Sequence, residues 1–151
     1  MPKPNPAPGY ANHPDHKVVV SPHPKHVRVK FNGRIIAESE ETRVVQESGY
    51  NPVIYFPRKD VAMTEFLVAT KHHTHCPFKG EARYWSLNVD GKVAENAVWS
   101  YEDVYDEAEP LRGYVAFYPD RVDSIDEAPI EGPTEPPRSL ANPRPTNLAG
   151  R

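Results

Sequence analysis

A chain of 151 residues with formal charge −3 and a single cysteine has the size of one domain and enough length to bury a core. No Lys/Arg run supplies the clustered cations that phosphate contacts require, so nucleic-acid binding is not expected. Apolar runs stay far short of the ~18 residues of a membrane span, the start shows no leader pattern, and one cysteine closes no internal disulfide; a cytoplasmic protein without membrane association is the expectation.

Proline marks the two ends. Seven of the eighteen prolines precede residue 25 and six follow residue 128. Proline has no N–H to give a sheet and favours extended, solvated chain. Residues 1–12 therefore read as a flexible N-terminal arm, 125–151 as a flexible C-terminal tail, and 13–124 as the folded β-domain.

Within that unit HVRVKF-NG-RIIAES reads as a hairpin turning at Asn32-Gly33, because both residues tolerate the positive φ of a two-residue turn. Pairing Phe31 with Arg34 puts Val27, Val29 and Ile36 on one face, with Arg28 and Lys30 on the other. TRVVQE (42–47) and PVIYF (52–56) follow as strands. Asp60 comes after a Pro57-Arg58-Lys59 turn and is placed to cap a short helix over about 60–70, carrying Val61, Phe66, Leu67 and Ala69.

A second hairpin, YWSLNV-DG-KVAENAVW, turns at Asp90-Gly91. Trp85, Leu87, Val89, Ala94 and Val98 share one of its faces; Tyr84, Val93, Ala97 and Trp99 share the other. A sheet apolar on both sides must be covered on both, or line a cavity with one. GYVAFY (113–118) adds another strand. With no βαβ alternation, the expected fold is mainly β: a single antiparallel, barrel-like or folded sheet of six to eight strands with one short helix.

Chemistry-bearing residues concentrate in KHHTHCPFKGEARYW (71–85). His72, His73, His75 and Cys76 are zinc-ligand types, but structural zinc sites use paired ligands at loop spacing. The stretch reads instead as polar loop histidines leaving the helix, and neither metal nor cofactor is expected. Cys76, between His75 and Lys79, is either a reactive thiol or a small buried hydrophobe. Lys79-Gly80 lacks the remaining residues of a phosphate loop and leads into a strand, so Lys79 is either a point charge for a ligand or a solvated lysine.

Several ordered motifs resemble one family: HPDHKVVV, NGRIIAES, YFPRKDV (55–61), THCPFKGEARYW (74–85), AVWSYED (97–103) and GYVAFYPDRVD (113–123). The resemblance, over about residues 13–123, is to bacterial and fungal proteins grouped as domain of unknown function 427, also labelled nucleotidyltransferase-like. It implies a mainly β domain with a polar-aromatic pocket. By motif position the pocket candidates are Tyr55, Pro57, Arg58, Asp60, Thr74, Cys76, Lys79, Gly80, Tyr84, Trp99 and Tyr101. Where the family usually has a proline-containing turn after AVWSY, this chain reads EDVYDEAEP. Nucleotidyl transfer normally uses carboxylates that hold Mg²⁺, and the sequence has no Gly-Ser followed by Asp-x-Asp.

The expectation is a domain that binds a polar or anionic small molecule. Arg58 and Lys79 would hold its anionic group, Tyr84 and Trp99 would form walls, and Asp60 would cap the helix or orient Lys79. Tyr55, Thr74 and Tyr101 complete the ligand-binding set. Two alternatives stand beside it: an enzyme using Cys76 or Lys79 as nucleophile or acid/base, and a homodimer formed through exposed apolar strand surface.

Overall fold

The computed structural model describes residues 4–130. Ten strands run through them: β1 (Val18–Pro22), β2 (Lys25–Phe31), β3 (Arg34–Ser39), β4 (Arg43–Glu47), β5 (Val53–Tyr55), β6 (Leu67–Cys76), β7 (Gly80–Val89), β8 (Lys92–Val104), β9 (Val115–Phe117) and β10 (Ser124–Pro129). Both dipeptide turns form as their chemistry requires. Asn32 and Gly33 have φ of 49° and 76°, and Asp90 and Gly91 have φ of 52° and 88°. Phe31 pairs with Arg34, and Val27, Val29 and Ile36 are buried.

Pairing is antiparallel throughout and gives three sheets, ordered β1-β4-β5, β10-β2-β3 and β6-β7-β8-β9. The sheets do not close into a barrel among the described residues. The four-stranded sheet lies between the other two, which answers its two apolar faces. Leu87, Val89, Val98, Val115 and Phe117 pack with Val27, Val29, Phe31 and Ile36 of β2 and β3 in one core. Ala82, Tyr84, Tyr101 and Ala116 pack with Val45 and Tyr55 of β4 and β5 in a second. Strand β5 serves both: Ile54 and Phe56 join the first core, Val53 and Tyr55 the second. Paired backbone hydrogen bonds of 2.8 Å between Phe56 and Val115 tie it to β9.

Several expectations need correction. The helix ends early: a 3-10 turn covers Arg58–Asp60, one helical turn (α2) covers Met63–Phe66, and Leu67 already opens β6. Pairing of Leu67, Val68 and Ala69 with Leu87, Ser86 and Trp85 overrides the helical reading of LVAT. Asp60 caps no helix, since α2 has Ala62 at its N-cap and no side-chain cap. Ala97 belongs to the first core, and Val93 is 55% exposed. A bulge at residues 95–97, with Asn96 at φ 48°, shifts the register between Leu87–Ala94 and Trp85–Val98.

Order also runs past the expected arm and tail. Gly9–Asn12 form a helical turn (α1), and Ala7 is buried. Asn5 and Ala7 donate backbone N–H groups to the Asp106 and Glu107 carboxylates at 2.7 and 2.8 Å. At the other end β10 pairs with β2 as far as Pro129. Residues 1–3 of the arm and 131–151 of the tail lie outside the described residues. No described helix is long and apolar enough to cross a membrane.

Candidate functional site

A cavity of about 490 Å³ opens between the second face of the four-stranded sheet, β4–β5 and the 76–79 turn. Alternation along β7 and β8 aims Tyr84, Trp99 and Tyr101 into it, β5 adds Tyr55, and the segment after β9 adds Tyr118. Trp99 donates its indole N–H to the Tyr55 hydroxyl at 3.1 Å, with the rings edge to face and 6.1 Å apart. The Tyr118 ring lies 4.5 Å from that of Trp99. The Thr74 and Tyr84 hydroxyls share a hydrogen bond of 3.0 Å.

Lys79 supplies the charge. Its side chain is only 8% exposed, its ammonium pairs with Glu47 Oε1, and it sits 5.7 Å from the Tyr101 ring centroid. The turn that delivers it depends on glycine. Gly80 has φ 130°, and a Cβ there would lie 2.2 Å from the Asp103 carbonyl oxygen. The other oxygen of Glu47 holds His16 Nε2 at 2.9 Å. His16 in turn stacks on Phe78 at 3.9 Å, and the Gly9 N–H donates to the Pro77 carbonyl at 3.0 Å. The N-terminal segment thus braces the lysine turn from outside.

Burial is the main electrostatic influence on the walls. It pushes the Tyr55 and Tyr101 hydroxyls well above the usual tyrosine range. Burial, with the neighbouring Tyr84 hydroxyl second, pushes Tyr118 up to about 12. The phenols therefore stay protonated at neutral pH. As one half of an ion pair, Lys79 presents N–H donors rather than a lone pair. A buried pair adds little net stability, because desolvation offsets attraction, so this one is better understood as a device that fixes a charged group in place.

Six of the sequence-predicted residues line this cavity: Tyr55, Cys76, Lys79, Tyr84, Trp99 and Tyr101. Thr74 touches it only through Tyr84. Arg58 is elsewhere, on the opposite face of the four-stranded sheet. Its guanidinium donates to Glu102 at 2.7 Å and to Ser100 at 3.1 Å, and lies 5.2 Å from the Trp85 ring centroid. Asp60 does not orient Lys79; it accepts a 2.6 Å hydrogen bond from Ser39. The expected meeting of Arg58 with Lys79 does not occur, because the two charged turns flank opposite faces.

The histidines do not converge either. His72 lies 4.5 Å from the Tyr84 ring centroid, and His75 bonds the Tyr105 hydroxyl at 2.9 Å. His73 borders a separate groove with Glu81, Arg83, Glu102 and Asp103. No group of three or more metal-ligating side chains occurs among the described residues. The Cys76 thiol has no hydrogen-bond partner among them and packs against the second core.

Sequence reasoning missed Glu47 and His16. A signal for Glu47 was present: period two along β4 puts it on the face of buried Val45. None marked His16, whose role depends on how the chain start folds back.

Fold and site define a small antiparallel β-domain whose middle sheet carries a solid core on one face and an aromatic cavity with a buried ion pair on the other. Residues 19–128 match the family model described as domain of unknown function (DUF427), and the chain belongs to that family. No curated protein matches it.

Proposed function

We propose that the protein binds a small molecule with a flat apolar body and a polar group in the cavity beside Lys79. The observation that carries this reading is the combination of a space of about 490 Å³, walls of tyrosine and tryptophan, and a nearly buried ion pair. Ligand sites commonly offer about 300–1,000 Å³ of mostly apolar surface with a few fixed polar groups. The tyrosines give both: broad faces for contact and hydroxyls for orientation.

The anion clamp expected from the sequence loses one of its two cations, since Arg58 is committed to Glu102 on the far face. What supports binding is therefore aromatic enclosure, with Lys79 as a donor. Native mass spectrometry of freshly purified protein should give a mass above the denatured mass by that of one small molecule. The double variant Lys79→Met/Glu47→Gln, which removes both charges together, should lose that increment while remaining folded. Equal native and denatured masses, together with no change in the Trp99 indole signal across a library of ring-bearing fragments, would refute the proposal.

A further inference from the structure

From the hydrogen-bonding capacity left over in the cavity, we infer that its ligand is anchored through a neutral carbonyl oxygen, as in a ketone, amide or lactone, received by the Tyr55 and Tyr101 hydroxyls and the Lys79 ammonium. This rests on the binding reading above and specifies the polar group.

The one carboxylate among the described residues of the cavity lining already has a cationic or imidazole partner on each oxygen. One Glu47 oxygen takes Lys79 and the other takes His16. The donors have capacity to spare. Trp99 donates to Tyr55 Oη, which leaves the Tyr55 proton to point elsewhere, and it has no other partner among the described residues. The Tyr101 hydroxyl has no partner among the described residues and faces the cavity. Lys79 has three N–H groups and spends one on Glu47. Tyr55, Cys76, Tyr84 and Glu47 line the same cavity as Tyr101, so these groups share one small volume. Burial holds both phenols in the donor form. Unpartnered donors around a carboxylate whose two oxygens each already hold a partner match a ligand atom that only accepts.

Charge then selects among acceptors. A carboxylate or phosphate would sit beside the Glu47 carboxylate, to which both Lys79 and His16 are already paired. A ligand ammonium would face the like charge of Lys79, and the one lining carboxylate already holds Lys79 and His16. A neutral carbonyl meets neither obstacle, and its two lone pairs suit donors that line one cavity.

Four probes on one ring separate these cases: acetophenone, ethylbenzene, benzoate and benzylamine, titrated against the full chain with the Trp99 indole N–H signal as reporter. Acetophenone should bind about tenfold tighter than ethylbenzene, the worth of about one net hydrogen bond, and tighter than either charged probe. In Tyr101→Phe, acetophenone should fall close to ethylbenzene, whose own affinity should not change. Equal binding of acetophenone and ethylbenzene, tightest binding by benzoate or benzylamine, or an unaltered preference in Tyr101→Phe would each overturn the carbonyl anchor while leaving ring binding intact. Should no probe bind, the molecule carried by the purified protein decides. One with a neutral carbonyl supports the inference, one without it overturns the inference alone, and no molecule at all overturns the binding reading with it.

Discussion

The two faces of the four-stranded sheet are built from alternate residues of the same strands, yet they differ in kind. The face under β2 and β3 is apolar and closed, with Val27, Val29, Leu87, Val89, Val98 and Val115 all at 0% exposure and phenylalanines between them. The face under β4 and β5 is aromatic and holds the cavity, with Tyr84, Trp99, Tyr101 and Tyr118 around the Lys79–Glu47 pair. Side chains without polar tips, aliphatic or phenylalanine, interdigitate to crystal-like density, whereas rings with polar tips leave space wherever the tips lack protein partners. Close packing and the cavity thus fall on opposite surfaces of one sheet.

The largest expected effect tests the closed face. Phe56 is 1% exposed and meets Phe117 edge to face at 5.6 Å. Phe56→Ala should cost about 3–5 kcal/mol in urea denaturation. A loss under about 1 kcal/mol would mean this core repacks freely and is not the rigid side.

A middle-sized effect tests the cavity face through pH. Tyr55 and Tyr101 stay protonated in the fold well above the ordinary tyrosine value of 10.0. Their contribution is complete below that value; above it the unfolded chain releases protons the native state keeps, so stability falls as pH rises. Each hydroxyl should add about 1.4 kcal/mol per pH unit to that decline. Denaturation measured on both sides of pH 10 should show a shallower decline for Tyr101→Phe than for wild type. Identical declines would show that the Tyr101 hydroxyl titrates like that of an exposed tyrosine.

The smallest effect is the sharpest contrast. At neutral pH Tyr101→Phe should change stability by no more than about 0.5 kcal/mol, because the hydroxyl it removes has no partner among the described residues. A larger loss would reveal a structural hydrogen bond and remove a donor from the proposed anchor.

What the sequence disclosed follows the range of the interactions involved. Asn32-Gly33 and Asp90-Gly91 announce their turns because φ is set locally, and alternation in YWSLNV shows two buried faces because the pleat has period two. The cavity walls were visible for the same reason. Four features escaped. Strand β6 resembles a helix continuation until it meets β7; the Asn96 bulge swaps the face of Ala97; β10 hides in proline-rich sequence; and Lys79 finds its partner in Glu47, which His16 holds by its other oxygen. Arg58 misled because spacing in the chain says that two charged turns flank a sheet but not which side each one takes.

Strand β5 has only three residues, but with Phe56 it sends side chains alternately into both cores and bonds to β9 through Phe56 and Val115. Neither layer can be peeled away while this rivet holds, since lifting Tyr55 from the cavity floor also drags Ile54 and Phe56 out of the closed side. A void beside a loosely attached lid would invite separate melting of that half. Here the rivet couples the cavity half to the closed half, and the two should unfold together.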